Sequence, residues 1–167
     1  MLSSDVLSHL QPLIGLQFTN AGRASDLEWF SFGEDRTVYT DDGTTKIVSD
    51  YALHVQCAWR ICDSSRILVA SRDRYYPPDP TTEVDSDFDW DVSGGNLCDT
   101  RIHELIQAFN GQFPRVERIT ADNVGSLTLF LSAGIVIEVF PDNSYLDEDS
   151  EHWRFFRPFI KEPHFVV

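Results

Sequence analysis

The most informative segment of the chain reads Leu53-His-Val-Gln-Cys-Ala-Trp-Arg-Ile61. Apolar and polar side chains alternate along it, which is typical of a β-strand with one face in a core and the other face polar. The core face carries Leu53, Val55, Cys57, Trp59 and Ile61. The opposite face carries His54, Gln56 and Arg60. The segment therefore predicts a half-buried strand whose polar face is a candidate binding surface.

Patterns in the rest of the chain predict an α+β fold with a mainly antiparallel sheet. The clearest amphipathic helix spans about residues 99–110, with Asp99 as its cap and an apolar stripe at helical spacing. A short N-terminal helix is expected over residues 4–13. Strands are expected near residues 16–19, 27–32, 36–40, 51–62, 66–76, 116–121, 126–132, 135–140, 153–156 and 164–167. The helix at 99–110 should cover the strands at 126–132 and 135–140. Residues 1–167 are most simply a single domain.

An excess of acidic residues gives the chain a formal net charge of −14, from 27 Asp and Glu against 13 Lys and Arg. A field of that sign repels nucleic-acid backbones and anionic membranes, so neither is an expected partner. It favours a basic protein partner, whose approach it would accelerate. Solubility alone is the simpler interpretation of the same charge.

The expected location is the cytoplasm. The chain has no run of about 20 apolar residues that could span a membrane, and its N-terminus lacks the features of a signal peptide. Its three cysteines form no Cys-x-x-Cys pair, which is typical of reduced thiols.

The polar strand face allows two interpretations. In the functional one, Arg60 binds a carboxylate or phosphate and His54 holds or moves a proton. In the structural one, Arg60 forms an ion pair with Asp73 on the expected neighbouring strand. The structural interpretation is favoured, because cross-strand pairs of opposite charge are common in sheets.

Two acidic segments, residues 83–91 and 142–151, are the expected contact surface for a basic partner. Large rings dominate the energy of many interfaces, so the aromatic residues in or next to these segments are candidate anchors. These are Phe88, Trp90, Tyr145 and Trp153. The alternating Asp85, Asp87, Asp89 and Asp91 resemble part of a calcium loop but lack its glycine and its bidentate Glu. The five histidines show no ligand spacing, so no metal or other cofactor is expected.

Several segments together resemble an uncharacterised family of small acidic bacterial cytoplasmic proteins. They are YALHVQCAWR at 51–60, DRYYP at 73–77, FDWD at 88–91, FPD at 140–142, EHWR at 151–154 and HFVV at 164–167. The resemblance implies a small single-domain fold and no particular activity. In size and acidity the chain is also similar to the immunity proteins that are encoded beside bacterial toxins.

Two functional hypotheses follow. The first is a non-enzymatic acidic interaction protein, of the type that inhibits a cationic bacterial toxin. The rival is a small-molecule-binding protein or enzyme with a polar cleft around His54, Arg60, Asp73 and Arg154. A deep pocket where these residues converge would favour the rival. A shallow acidic surface with aromatic side chains would favour the interaction protein, and no residue is assigned a catalytic role.

Overall fold

The computed structural model describes residues 2–84, 86–144 and 151–167. The helices are α1 (Ser3–Leu10) and α2 (Leu97–Ala108), with short 3-10 turns at Gln11–Leu13, Ser71–Tyr75 and Ser132–Gly134. The strands are β1 (Phe18–Ala24), β2 (Leu27–Tyr39), β3 (Thr45–Val55), β4 (Ala58–Cys62), β5 (Ile67–Ala70), β6 (Val116–Ala121), β7 (Leu127–Leu131), β8 (Val136–Phe140), β9 (Trp153–Phe156) and β10 (Phe165–Val166).

These strands form two five-stranded antiparallel sheets, which confirms the predicted α+β class. Sheet 1 has the order β1-β2-β3-β9-β10, and sheet 2 has the order β5-β4-β8-β7-β6. The inward-facing residues of both sheets form one continuous core. At its centre, Phe30 of β2 meets Trp59 of β4 edge to face, with the ring centroids 5.2 Å apart.

The strand expected over residues 51–62 is in fact two strands that belong to different sheets. β3 ends at Val55 in sheet 1, and β4 begins at Ala58 in sheet 2. At the corner between them, the backbone N–H of Gln56 donates to the carbonyl of His152 at 2.8 Å. The predicted core face is buried on both sides of the corner. The polar face is divided, because each sheet turns its own outer surface to solvent.

Helix α2 begins about two residues earlier than expected. Its N-cap is Asn96, whose side-chain oxygen accepts the N–H of Asp99 at 2.9 Å. The helix packs against β1 and β5, which are edge strands of the two sheets, and its buried side chains are Cys98 and Ile102. The prediction that this helix covers β7 and β8 is wrong. The inner faces of the two sheets cover each other, so α2 closes one side of the sandwich instead.

The N-terminal helix is confirmed, as α1 and the 3-10 turn that follows it. Val6, Leu10 and Leu13 are fully buried in the common core. Helix α1 packs on β6, and the His9 ring stacks on Phe165 of β10 with centroids 4.0 Å apart. It therefore covers the side of the sandwich where β6 and β10 are the edge strands.

Strands β2 and β3 continue beyond the rest of sheet 1 as a projecting hairpin, residues 34–48, which we call the arm. β1 pairs with β2 only as far as Phe32, and β9 pairs with β3 only from Ala52 to Val55. Beyond those points, the described strands of the arm pair only with each other. A bulge at Gly33, whose φ is 88°, marks the start of the arm.

Candidate functional site

The structure does not bring His54, Arg60 and Asp73 together. His54 lies on the outer face of sheet 1, opposite Arg154 of β9, and its ring meets Phe156 at 4.7 Å between centroids. Burial, and then the charge of Arg154, lower the pKa of His54 to about 4. The imidazole is therefore neutral at pH 7.

Arg60 is held by a carboxylate as expected, but the predicted partner Asp73 is wrong. The partner is Glu138 on the adjacent strand β8, whose Oε2 lies 2.5 Å from the Arg60 Nε. The hydrogen bond from Arg60 lowers the pKa of Glu138. Asp73 cannot reach Arg60 because β5 ends at Ala70 and a 3-10 turn follows. Its carboxylate accepts the N–H of Ala70 at 2.9 Å instead.

Two other predicted site residues, Trp153 and Arg154, are engaged within the structure. Trp153 is fully buried, and its indole N–H donates to the carbonyl of Gly125 at 2.7 Å. Its role as a surface anchor is therefore ruled out. Arg154 is half-buried, and its Nε donates to the Glu151 carboxylate at 2.7 Å.

The aromatic residues of segment 83–91 differ in their surroundings. Phe88 is half-buried. The Trp90 ring packs against Tyr75 with centroids 5.7 Å apart, and the Arg23 guanidinium lies 5.9 Å from the Trp90 ring centre. Trp90 therefore attaches the loop to the body of the protein. Asp85 and the segment 145–150, with the predicted anchor Tyr145, lie outside the described residues.

Arg23 organises this region, although the sequence analysis did not single it out. Its side chain is only 6% exposed and forms a two-point contact with the Asp99 carboxylate, at 2.8 and 3.0 Å. It also pairs with Asp91 at 3.1 Å and donates to the carbonyl of Trp90 at 3.0 Å. Arg23 thus connects β1, the acidic segment 83–91 and the first turn of α2.

An open groove with a cavity of about 1110 Å³ lies between β1 and α2. We call it the acidic groove. Its lining includes Asp91, Asp99 and Glu104, and Arg23 is the only lysine or arginine among the described residues that line it. The three carboxylates outnumber Arg23, which Asp91 and Asp99 hold, so the described lining is negative. Glu104 is 60% exposed and lies 3.6 Å from Arg101 outside the lining, which offsets part of its charge.

Trp29 supplies the large aromatic side chain of the acidic groove. The half-buried indole lies across β1 at Gly22, where an added Cβ would come within 2.5 Å of the ring. Gly22 therefore allows the ring to lie against the strand. The sequence does not single out Trp29 as a site residue, because the alternation in Trp29-Phe-Ser-Phe32 does not show which face of β2 is the outer one.

A second cavity, of about 590 Å³, is lined by Arg60, Arg72 and Arg74 together with Tyr75. We call it the arginine cavity. The buried Arg74 is fixed by hydrogen bonds from its Nε to the carbonyl of Ser71 at 2.6 Å and from its Nη1 to that of Asp26 at 2.7 Å. Asp26 and Asp142 also line this cavity, so its positive charge is partly offset.

Glu28 is a further polar group in the interior. It is 1% exposed, and its Oε1 has no hydrogen-bond partner among the described residues. Burial raises its pKa well above the ordinary value, and the nearby Arg74 opposes that rise. In β2, Glu28 lies on the same strand face as the buried Phe30 and Phe32, because side chains two residues apart share a face. Its burial could therefore have been inferred from the sequence.

Within residues 2–84, 86–144 and 151–167, no group of three or more His, Cys, Asp and Glu side chains is placed to hold a metal ion. The helices in the same ranges are all too short or too polar to cross a membrane. No family model, curated protein or solved structure matches the chain.

Proposed function

We propose that the protein is a non-enzymatic acidic interaction protein that binds a basic protein partner through the acidic groove. An immunity protein that neutralises a cationic bacterial toxin in the cytoplasm is the specific form of this proposal. The acidic groove is the observation that supports it. A concave surface combines carboxylates with a half-buried indole, and Arg23, the one guanidinium among its described lining residues, is held by Asp91 and Asp99.

The two kinds of side chain have different roles in this proposal. Exposed carboxylates such as Glu104 attract a basic partner at long range and so raise the association rate. Trp29 offers a large apolar surface that a partner side chain can cover, so it slows dissociation. The formal charge of −14 extends the attraction beyond the groove itself.

The experiment starts with identification of the partner by affinity capture from the native host, followed by kinetics with the purified pair. Association is expected to slow as salt rises from about 0.01 M to about 0.15 M, because the Debye length shrinks from about 30 Å to about 8 Å. Glu104→Gln should slow association more than Glu117→Gln, which removes the same charge from β6, outside the groove. Trp29→Ala should accelerate dissociation.

Two results would contradict the proposal. One is an association rate that does not respond to salt. The other is an equal effect of Glu104→Gln and Glu117→Gln, which would show that the groove has no special part in recognition. Unfolding midpoints of all variants provide the control for an intact fold.

A second candidate function is small-anion binding in the arginine cavity, and the three arginines that line it favour this candidate. The arginine cavity takes the place of the expected cleft around His54, Arg60 and Asp73, because those three residues do not lie together. Calorimetric titration with inorganic phosphate tests it, with Arg72→Gln as the variant and Arg66→Gln as the control outside the cavity. The acidic groove is the better candidate, because Asp26, Asp142 and the net charge of the chain oppose anion binding.

A further inference from the structure

The arm exposes two large apolar side chains on one face. Tyr39 is 83% exposed and Ile47 is 71% exposed. In the register of the hairpin, Thr37 pairs with Ile47 and Tyr39 pairs with Thr45, so Tyr39 and Ile47 are diagonal neighbours on the same face. Exposed apolar groups that are adjacent, on an element that projects from the body, are typical of an interaction site.

The base of the arm is fixed to sheet 1. The Asp50 carboxylate accepts the N–H of Glu34 at 2.8 Å and forms an ion pair with Arg36. Arg36 in turn lies over the Phe159 ring, 5.0 Å from its centre. These contacts fix the orientation of the arm relative to sheet 1 at the Gly33 bulge.

The tip of the arm is also fixed. The Asp42 carboxylate accepts the N–H and the hydroxyl of Thr44, at 3.0 and 2.8 Å, and the hydroxyl of Thr40. These hydrogen bonds lower the pKa of Asp42 to about 2, so the tip stays negatively charged. An isolated hairpin is marginally stable in water, and contacts at both ends reduce the cost of ordering it when it binds.

We propose that the arm is a second interaction surface, which inserts into a cleft of a basic protein with Tyr39 and Ile47 as its anchors. Charge complementarity identifies this occupant. Within the described chain, Glu34, Asp35 and Asp41 have no ion pair, Asp42 is ionised, and Asp50 already holds Arg36. Of the arm's own residues, Lys46 alone remains to offset them, and Arg157 outside the arm acts on Asp50 at its base. The arm is therefore negative around its two apolar side chains. The inference shares the partner class of the proposed function and does not need the acidic groove, which no arm residue lines.

Site-specific photocrosslinking in the native host tests the arm directly. The probe is benzoylphenylalanine, introduced into the full chain at position 39, 47, 103 or 124 in turn. Position 103 reports on the acidic groove. Position 124 is the matched control, because Val124 is an equally exposed apolar residue, at 74%, in the turn after β6. The expected result is an adduct with the same basic protein from positions 39 and 47, and none from position 124.

The outcomes separate the arm from the groove. A basic partner crosslinked at position 103 but not at 39 or 47 would overturn the arm proposal and leave the proposed function standing. Crosslinks at 39 and 47 without one at 103 would support the arm and remove the groove from the interface. Adducts with an acidic protein, with a second copy of this chain, or equally at position 124 would overturn the arm proposal, as would no adduct at all.

Dissociation rates of the purified pair provide the second measurement. Tyr39→Ala and Ile47→Ala should each accelerate dissociation by about tenfold, which is the effect of losing an interface anchor. Val124→Ala should leave the rate unchanged. All three variants should keep the wild-type unfolding midpoint, since the side chains are exposed. Equal rates for all three would refute the anchor role.

Discussion

Replacing Glu28 with Gln is expected to stabilise the protein at neutral pH. The Glu28 side chain lies in the core between the sheets, beside Cys98, whose Sγ is 4.0 Å from Oε2. Desolvation penalises its charged form and raises its pKa well above the ordinary value of 4.5. The amide of Gln has nearly the same shape and no charge, so it avoids this penalty.

The sign of the pH dependence follows from which state keeps the proton. Above pH 4.5, the unfolded chain releases the Glu28 proton while the folded chain retains it. The free energy of unfolding therefore falls as pH rises, by about 1.4 kcal/mol for each pH unit, until the folded-state pKa is passed. The Gln variant lacks this contribution. Its advantage over wild type should grow with that slope over the same window and be constant below it.

Urea unfolding of both proteins between about pH 4 and about pH 8 measures the difference, with tryptophan fluorescence as the signal. Glu138→Gln is the matched control with the opposite sign. Arg60 lowers the pKa of Glu138, so its carboxylate stabilises the fold above its ordinary pKa and that stability is lost as pH falls. Because the pair lies at the surface, Glu138→Gln should cost no more than about 1 kcal/mol at pH 7.

A Glu28→Gln variant that is less stable at pH 7, by a deficit that is constant above the ordinary pKa of 4.5 and shrinks as pH falls below it, would refute this reasoning. It would show that Glu28 is ionised in the folded state and held by Arg74 and Arg23. The positive charge of those two arginines would then outweigh the cost of burial.

Two further predictions concern the outer face of sheet 1. Gly22→Ala should lower the free energy of unfolding by about 1–3 kcal/mol and weaken partner binding, because the new Cβ displaces the Trp29 ring. Urea midpoints and dissociation rates check this against Thr120→Ser, an exposed position of β6 outside the groove, and an unchanged Trp29 environment would contradict it. The His54 ring should titrate with a midpoint of about 4 by NMR, since it is half-buried beside Arg154. A midpoint near the ordinary 6.5 would show that the ring is solvated.

The alternation in residues 53–61 predicted which side chains are buried but not the change of sheet at Gln56. A straight strand and a corner between two packed sheets place the same residues in the core, so periodicity does not distinguish them. The corner places His54 in sheet 1 and Arg60 in sheet 2, so the expected cleft does not form.

Long-range partners account for the rest of the difference between prediction and structure. Arg60 was expected to bind a carboxylate, yet Glu138 is 78 residues away and is reached only through the β4–β8 register. Arg23 pairs with Asp99, which is 76 residues away in the sequence, and no local sequence pattern predicts that pair. The positions of helices and strands were easier to predict, because residue spacing and turn residues determine them locally.

The place of β9 in sheet 1 has a consequence for synthesis of the chain. β9 covers the edge of β3 by pairing Val55 with Trp153, about a hundred residues later in the sequence. At translation rates of about 5–20 residues per second, that apolar edge stays uncovered for about 5–20 s after it is made. An unpaired strand edge is a template for association between chains. The nascent protein therefore passes through a period in which this edge of β3 is open to pairing with other chains.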